Sequence, residues 1–336
     1  MINRTNQILS VVLVVQLILV GIVFFPESEE APIASGSLLT DFSADDVRDL
    51  RLRDGEDSEI HLSRNDIGLW VLPEYDDYPA RDDAITTLLG KLEDLQTNRL
   101  IAQNSSSHNR LHVGDDEFER VIEINEDQRL YIGTSAGANA THMRVGGDDN
   151  VYLTSGLSAF DANVNLTQWF NAQYFSAPSQ NVVAMRLENN NGVFEFEKEG
   201  DEWVFVGLEE DETFNPQAFN TLLNQSTAVR MTAPISREEQ DEFGMDDPRA
   251  TVTLTVAEPA EPEEPEEEAV EPEMVETTYT LVVGALVEEA DFAFKASSED
   301  YYVRVSTNTA NGFVDRDRDG FLVIPVEEEA GEEESE

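Results

Sequence analysis

Three aspartates at alternate positions near the C-terminus are the most specific candidate for a chemical site in this sequence. Asp315, Asp317 and Asp319 are separated by arginines, and Gly320 follows them. Oxygen ligands at alternate positions before a glycine turn are typical of the start of a calcium-binding loop. The full loop needs a glutamate at its twelfth position, where this chain has Val326. We therefore predict a calcium turn at the three aspartates as one hypothesis, with a charged turn leading into a strand as the alternative.

Few other residues predict catalysis. The chain contains no cysteine, which excludes disulfides, cysteine nucleophiles and thiolate-bound metals. The segment Gly156-Leu157-Ser158 lacks the glycines on both sides of the serine that a nucleophile elbow requires. Paired acids such as Asp76-Asp77 carry almost no information in so acidic a chain. We therefore predict no catalytic residue, and no cofactor apart from the calcium ion of the first hypothesis.

The charge balance excludes several classes of partner. The 336 residues include 70 Asp and Glu against 21 Lys and Arg, which gives a net charge of -49 at pH 7. Residues 257–275 and 327–336 are rich in glutamate, but the rest of the chain is acidic as well. Such a surface repels phosphate backbones and anionic lipid head groups. We therefore predict no nucleic acid partner.

An apolar segment near the N-terminus predicts a membrane anchor. Ile8–Phe25 carries no charge, Arg4 precedes it, and glutamates follow it closely. A helix of this length spans roughly 27 Å, which is near the hydrocarbon thickness of a bilayer. The arginine favours a single-pass membrane protein with a cytoplasmic N-terminus and an extracytoplasmic bulk. The alternative is a cleaved signal peptide, although Phe24-Phe25-Pro26 is a poor cleavage site.

The rest of the chain predicts one unit that occurs twice. Trp70 and Trp203 each lie in a predicted strand that precedes a helix with a Thr-Leu-Leu sequence. Further along, Leu130–Gly133 matches Leu281–Gly284. Shared order at nearly equal spacing over about a hundred residues is typical of a duplicated domain.

The predicted fold class is α+β, with an N-terminal transmembrane helix followed by two repeated, mostly antiparallel sheet-plus-helix units. The predicted boundaries are 1–26 for the cytoplasmic end and anchor, 27–44 for a stalk, 45–177 for the first repeat, 178–326 for the second repeat, 257–275 for a disordered acidic insertion in it, and 327–336 for an acidic disordered tail.

Three stretches predict helices. Residues 81–95 place apolar side chains at helical spacing on one face. Asn215 is a favourable N-cap, and Pro216 follows at the first helical position. Leu157–Phe170 is predicted as a short helix in the first repeat.

The order of these motifs resembles the bacterial family called domain of unknown function 4340. The matching residues include the strand tryptophans, the Leu-Leu helices with a downstream Arg99 or Arg230, and an aromatic-Gly signature at Phe243–Pro248. The first copy departs from the family pattern, since Arg110–Gly114 replaces that signature. The resemblance implies an N-terminally anchored envelope protein, of a kind often encoded beside gliding-motility-type ABC transporter components.

These observations favour a membrane-tethered extracytoplasmic accessory or binding module with protein partners in a transporter-associated envelope complex. Two alternatives stay open, namely an envelope hydrolase of unknown substrate and a calcium-dependent surface protein. A cleft that brings together a perturbed acid, base or nucleophile would favour the hydrolase.

Overall fold

The computed structural model describes Leu13, Gln16 and residues 36–137, 139–260, 274–288 and 290–323. The chain divides into two compact units, each made of several segments. One unit comprises Met1–Asp46, Leu89–Val121 and Gln128–Ala162; the other comprises Val47–Leu88, Ile122–Asp127 and Asn163–Glu336.

The first half of the chain contains helix α1 (Asp82–Glu93) and the strands β1 (Asp49–Asp54), β2 (Glu59–Arg64), β3 (Trp70–Leu72), β4 (Tyr78–Pro79), β5 (Arg99–Ala102), β6 (Arg120–Ile124), β7 (Gln128–Ser135), β8 (Ala140–Val145) and β9 (Val151–Ser155).

The second half contains helices α2 (Pro216–Thr227) and α3 (Thr307–Val314) and the strands β10 (Gln173–Ser176), β11 (Val182–Asn189), β12 (Gly192–Glu199), β13 (Glu202–Phe205), β14 (Ala228–Arg230), β15 (Ala233–Ser236), β16 (Ala250–Pro259), β17 (Met274–Glu288), β18 (Asp291–Ala296) and β19 (Tyr302–Ser306).

The predicted fold class is wrong, because the described residues form mostly antiparallel sheets with three short α-helices and no membrane-spanning helix. Alternation explains the dominance of strands. In β12, for example, Phe194 and Phe196 are buried while Val193, Glu195 and Glu197 are exposed, and this period of two suits a strand.

The single-pass membrane prediction is corrected with the fold class. No helix among the described residues is long and apolar enough to cross a bilayer. The anchor predicted at Ile8–Phe25 lies outside the described residues, apart from Leu13 and Gln16. The structure therefore does not support the predicted membrane localisation with a cytoplasmic N-terminus.

Two four-stranded ladders have the same pairing. The first ladder runs β7-β8-β9-β5, and the second ladder runs β17-β18-β19-β15 within an eight-stranded sheet. Tyr131 pairs with Arg144 in the first ladder as Val282 pairs with Lys295 in the second. The register also shifts at matching places, between Ile132 and Ser135 in β7 and between Val283 and Leu286 in β17.

The same match extends to the edge strands. β5 pairs with β9 and β15 pairs with β19, with a register shift between Leu100 and Ala102 in one and between Pro234 and Ser236 in the other. Since a one-residue slip would turn every side chain to the other face, this agreement places equivalent residues at equivalent positions. The two ladders therefore share their strand pairing and register, and the duplicated domain stays a prediction.

A glycine in each ladder allows a backbone carbonyl to approach closely. A Cβ atom on Gly133 would lie 2.1 Å from the Leu111 carbonyl oxygen, and one on Gly284 would lie 2.0 Å from the Phe243 carbonyl oxygen. Each of these carbonyls belongs to the last residue of a short 3-10 helix, Asn109–Leu111 or Asp241–Phe243. Glycine is needed at both positions because any side chain would clash with main-chain atoms.

The first copy keeps this geometry without the aromatic-Gly signature. After Leu111, His112 has a left-handed backbone with a φ of 54°, and after Phe243, Gly244 has a φ of 64°. The segment Arg110–Gly114 therefore forms the same turn as its counterpart in the second copy. The departure noted in the sequence changes side chains and leaves the backbone path in place.

The helix predicted at Leu157–Phe170 does not form. Its residues form turns and one short 3-10 helix, Leu166–Gln168, and the Asp161 carboxylate accepts hydrogen bonds from both the backbone N–H and the hydroxyl of Ser158. A helix forms instead at the corresponding place in the second repeat, where Ser306 caps α3.

Candidate functional site

The three aspartates of the calcium hypothesis lie directly after the end of α3. Asp315 follows the last residue of α3, and its backbone N–H donates to the Asn311 carbonyl. Asp317 accepts a hydrogen bond from the backbone N–H of Gly320 at 2.9 Å, and Asp319 begins a 3-10 helix. Within the part of the chain that the structure describes, no group of three or more His, Cys, Asp or Glu side chains could hold a metal ion.

The arginines between these aspartates make the longer-range contacts. Arg318 donates to the Glu212 carboxylate through Nε at 2.8 Å and through Nη2, and also to the Gly207 carbonyl at 2.8 Å. The hydrogen bond from Arg318 lowers the pKa of Glu212 to about 2. Arg316 donates to the Gly312 carbonyl at 3.1 Å. The motif therefore fastens the end of α3 to the loop after β13, and the calcium hypothesis stays a prediction.

A different place offers a cavity of about 550 Å³. It lies where β7 ends, β8 begins and β9 ends, because antiparallel neighbours bring those strand ends together. Its lining residues are Lys91, Ser135, Asn139, Thr141, Ser155, Gly156, Leu157, Ser158 and Asp161. All of them belong to the same compact unit. We call this space the first-repeat cavity.

An ion pair and a serine form the polar centre of the first-repeat cavity. The Lys91 ammonium donates to Asp161 Oδ1 at 2.5 Å. Asp161 Oδ2 accepts hydrogen bonds from the Ser158 hydroxyl and from the Ser158 backbone N–H, each at 2.8 Å. The Asp161 side chain is 20% exposed and that of Lys91 is 37% exposed, so the pair is reachable from solvent.

The electrostatics of Asp161 favour the carboxylate. Burial by itself would raise its pKa, but the hydrogen bonds from Lys91 and Ser158 outweigh burial and hold the pKa of Asp161 below its ordinary value. A carboxylate with a lowered pKa is a weak general base at neutral pH. Ser158 donates to this carboxylate, and no histidine is among the described residues that line the cavity. The arrangement suits binding better than nucleophilic catalysis.

In the second repeat, a side chain occupies the place that corresponds to the polar centre of the first-repeat cavity. Matching Leu88-Leu89 of α1 with Leu222-Leu223 of α2 places Gln225 at the position of Lys91. The last paired residues of β9 and β19 are Ser155 and Ser306, and counting equally far along the sequence from each matches Asp161, in a turn, with Gly312, in α3. A Cβ atom on Gly312 would lie 1.9 Å from Nε2 of Gln225, so the glutamine amide occupies the space that a side chain there would need.

The strand ends around that centre also differ between the repeats. Ser135 pairs with Thr141 in the first ladder, whereas Leu286 pairs with Phe292 at the same register in the second. Thr141 is buried, with 4% of its surface exposed, and Phe292 is likewise buried. The first repeat therefore has polar side chains where the second has apolar ones.

Two loops complete the rim, and each needs an unusual backbone. Asn139, between β7 and β8, has a φ of 60°, and asparagine tolerates this left-handed region better than most residues. Gly156, directly after β9, has a φ of 99°, which glycine alone adopts readily. Gly156 turns the chain directly before the lining residues Leu157 and Ser158, and Asn139 is itself a lining residue.

A smaller cavity of about 290 Å³ lies in the other compact unit. Its lining includes Glu74, Tyr75, Glu242, Glu288 and Arg304. Arg304 forms an ion pair with Glu288, and burial raises the pKa of Tyr75. This cavity has about half the volume of the first-repeat cavity and lacks its row of hydroxyl groups.

Sequence reasoning missed Lys91, Ser158 and Asp161. Asp161 lies seventy residues from Lys91 in the sequence, and a tertiary contact between α1 and the turn after β9 brings the two together. The rarity of lysine could have singled out Lys91 as a candidate site residue, because it is one of three lysines in this acidic chain. Aligning the Leu-Leu helices would also have shown a lysine in one repeat and Gln225 in the other.

Comparison with known proteins gives a family and no characterised relative. No curated protein matches the chain, and no solved structure does. The family model described as Domain of unknown function (DUF4340) matches residues 70–241, which is more than half of the chain. That range includes α1, the first ladder with its cavity, and α2. The chain therefore belongs to the DUF4340 family.

Proposed function

We propose that this protein is a binding module whose first-repeat cavity holds a small polar ligand. The observation that carries the proposal is the contrast between Lys91 with Asp161, which border a cavity, and the residues matched to them by sequence, Gln225 with Gly312, which pack against each other. A volume of about 550 Å³ lies within the range of roughly 300–1,000 Å³ typical of small-molecule sites.

The small stabilisation expected from the Lys91–Asp161 ion pair also favours a ligand site over a structural role. A solvent-accessible ion pair contributes about 0–1 kcal/mol to stability. The second repeat builds the same ladder with Gln225 and Gly312 instead, so the fold does not depend on the pair. Lys91 and Asp161 therefore contribute little to the stability of the fold, and their charged groups can contact a ligand.

A hydrolase is the weaker alternative. Hydrolysis by a serine needs a base that accepts its proton and a third group that orients the base. Here Ser158 is bonded to a carboxylate whose pKa is lowered, and that carboxylate is already paired with Lys91. The same bonds that weaken catalysis hold donors and acceptors in fixed directions, which benefits recognition.

Ligand-observed NMR on the full chain tests the proposal. A library of small polar metabolites, both charged and neutral, is screened against the wild type and against the double variant Lys91→Gln/Asp161→Gly. This variant copies the pair of the second repeat and so keeps a combination that the fold accepts. We expect at least one ligand to bind the wild type and to lose at least tenfold in affinity for the double variant.

The matched control is Gln225→Met, which removes the 2.9 Å hydrogen bond to the Thr309 carbonyl in the second repeat. It is expected to leave ligand affinity unchanged. Equal losses in both variants would trace the effect to general destabilisation, and binding that survives the double variant would place the site elsewhere. Either result contradicts the proposal.

We propose in addition that the module serves an accessory role with protein partners in a transporter-associated complex. This part is supported by the family resemblance alone. Affinity purification of the tagged chain under native conditions, with mass spectrometry of the co-purifying proteins, tests it. Recovery of transporter components is expected, and recovery of the tagged chain alone would contradict it.

A further inference from the structure

The lining of the first-repeat cavity is electrically balanced. Its charged side chains are Lys91 and Asp161, which neutralise each other at 2.5 Å. A ligand with a net charge would have to break this pair to find a counter-ion, which costs free energy. The net charge of -49 on the chain further disfavours anions. The cavity is therefore suited to a neutral ligand.

The uncharged polar groups of the cavity offer both donors and acceptors of hydrogen bonds, although Ser158 already donates its hydroxyl hydrogen to Asp161 and so can only accept from a ligand. Hydroxyl groups come from Ser135, Thr141, Ser155 and Ser158, and an amide comes from Asn139. A hydroxyl carries one donor and two acceptor sites, and an amide carries both kinds of group. A ligand that matches this set should also present groups that donate and accept at once. Neighbouring hydroxyl groups on a small ring have this property.

An exposed aromatic residue, Phe160, directly precedes the lining residue Asp161 in the chain and is not itself part of the lining. Phe160 is 80% exposed, although a phenylalanine is ordinarily buried. It lies in the turn closed by a hydrogen bond from the Asp161 N–H to the Ser158 carbonyl, and both of these residues line the cavity. Leu157, on the same segment, supplies a buried apolar wall. A ligand with one apolar face would cover the ring and bury its surface.

We propose that the first-repeat cavity binds a neutral saccharide, with its hydroxyl groups toward the strand-end serines and Thr141 and its apolar ring face against Phe160. This inference rests on the proposed binding function and names the class of ligand. The cavity volume of about 550 Å³ accommodates a small sugar unit.

The test compares two panels of probes on the full chain. One panel holds neutral mono- and oligosaccharides, and the other holds charged solutes of similar size, including inorganic phosphate, glutamate and spermidine. Saturation-transfer NMR and a glycan array report binding. We expect binding of at least one neutral saccharide and none of the charged solutes.

Two single variants locate the contact. Phe160→Ala is expected to weaken saccharide binding at least tenfold, whereas Phe160→Tyr, which keeps the ring, is expected to retain it. Ile67→Ala is the matched control, because Ile67 is 79% exposed and belongs to the other compact unit. It is expected to leave affinity unchanged. Both positions are exposed, so neither substitution threatens the fold.

The outcomes separate this inference from the proposed function. Binding of charged solutes without saccharides, lost in Lys91→Gln/Asp161→Gly, would overturn the saccharide assignment and support a small-ligand site. A saccharide affinity that is unchanged in both Phe160→Ala and the double variant would overturn the assignment to this cavity. Absence of binding by every probe in both panels would overturn both proposals.

Discussion

The two ladders of this protein share a backbone frame and differ in what that frame surrounds. Equivalent strand pairs and register shifts recur in both, and Gly133 and Gly284 meet equivalent carbonyl oxygens. In the first ladder the strand ends border a polar cavity with Lys91, whereas Gln225 packs onto a glycine at the matching place. The comparison teaches that main-chain contacts fix this fold, while a few side chains at the strand ends determine its chemistry.

The largest effect on the free energy of unfolding is expected at the two strand tryptophans. Trp70 is 2% exposed, whereas Trp203 is partly exposed and packs on Phe219 with ring centroids 4.5 Å apart. We expect Trp70→Ala to cost about 3–5 kcal/mol through lost burial and a cavity. Trp203→Ala should cost about half as much, because less of its surface is buried. Urea unfolding of the full chain measures both, and equal costs would contradict the difference in packing.

The next prediction tests the shared frame. Gly133→Ala and Gly284→Ala should each cost about 3 kcal/mol, since the new methyl group meets a carbonyl oxygen that cannot move without the backbone. Gly90→Ala in α1 is the control, because no atom lies within 4 Å of its added Cβ and alanine favours a helix. Denaturant unfolding should show it unchanged or slightly more stable. A large cost at one ladder glycine without the other would break the equivalence.

A third prediction concerns the cation that each ladder carries at the same register. Arg144 is buried and donates to the Val113 carbonyl at 2.6 Å and to Asp115 at 2.5 Å. Arg144→Met should cost about 2 kcal/mol, because it leaves a carbonyl without its donor. Lys295→Met should cost less, since its ammonium donates to the single carbonyl of Glu299. Thermal unfolding of the two variants makes the comparison, and a larger loss at Lys295 would contradict it.

The smallest effect is a pH dependence that belongs to the first repeat. The folded-state pKa of Asp161 is lower than its ordinary value of 3.8, so its pairing stabilises the fold above that value. The contribution is lost as the pH falls through the lowered folded-state pKa. Asp161→Asn should therefore reduce stability at neutral pH by under about 1 kcal/mol and make no difference at the acid end. Unfolding between neutral and strongly acidic pH, with exposed Asp94→Asn as the control, checks the sign.

Local signals in the sequence predicted local structure well. Asn215 caps α2 as expected, accepting hydrogen bonds from the Gln217 and Ala218 N–H groups, with Pro216 at the first helical position. Residues 82–93 form α1 with its predicted apolar stripe buried. Capping and periodicity depend on near neighbours, which a sequence shows directly.

Signals that depend on distant partners were harder to interpret. The arginine after each Leu-Leu helix suggested that Arg99 matches Arg230, whereas strand register places Arg99 opposite Leu153 and Ala233 at the equivalent position in the second ladder. In place of the helix expected at Leu157–Phe170, the chain forms turns and a short 3-10 helix at Leu166–Gln168, and Trp169 Nε1 donates to the Asn163 carbonyl. Such outcomes depend on tertiary contacts that propensity does not contain.

The acidic insertion is flanked by strands that reach further into it than the sequence predicted. It was predicted at residues 257–275, and β16 and β17 remain paired as far as Pro259 and Met274. Residues 261–273 lie outside the described residues. The pairing supports a hairpin that is longer than alternation alone predicted, because Glu258 and Pro259 broke the apolar pattern.

NMR of the labelled lysine side chains tests directly whether ligands bind in the first-repeat cavity. Reductive methylation with ¹³C labels Lys91, Lys198 and Lys295, which are the lysines of the chain, and Lys→Arg variants assign their signals. The account predicts that a bound saccharide, or any small ligand found in the screen, shifts the signal of Lys91 and leaves those of Lys198 and Lys295 in place. Lys295 lies in the second ladder and so serves as an internal control. Ligand binding that leaves Lys91 unmoved, or that shifts Lys198 or Lys295 instead, would contradict the account.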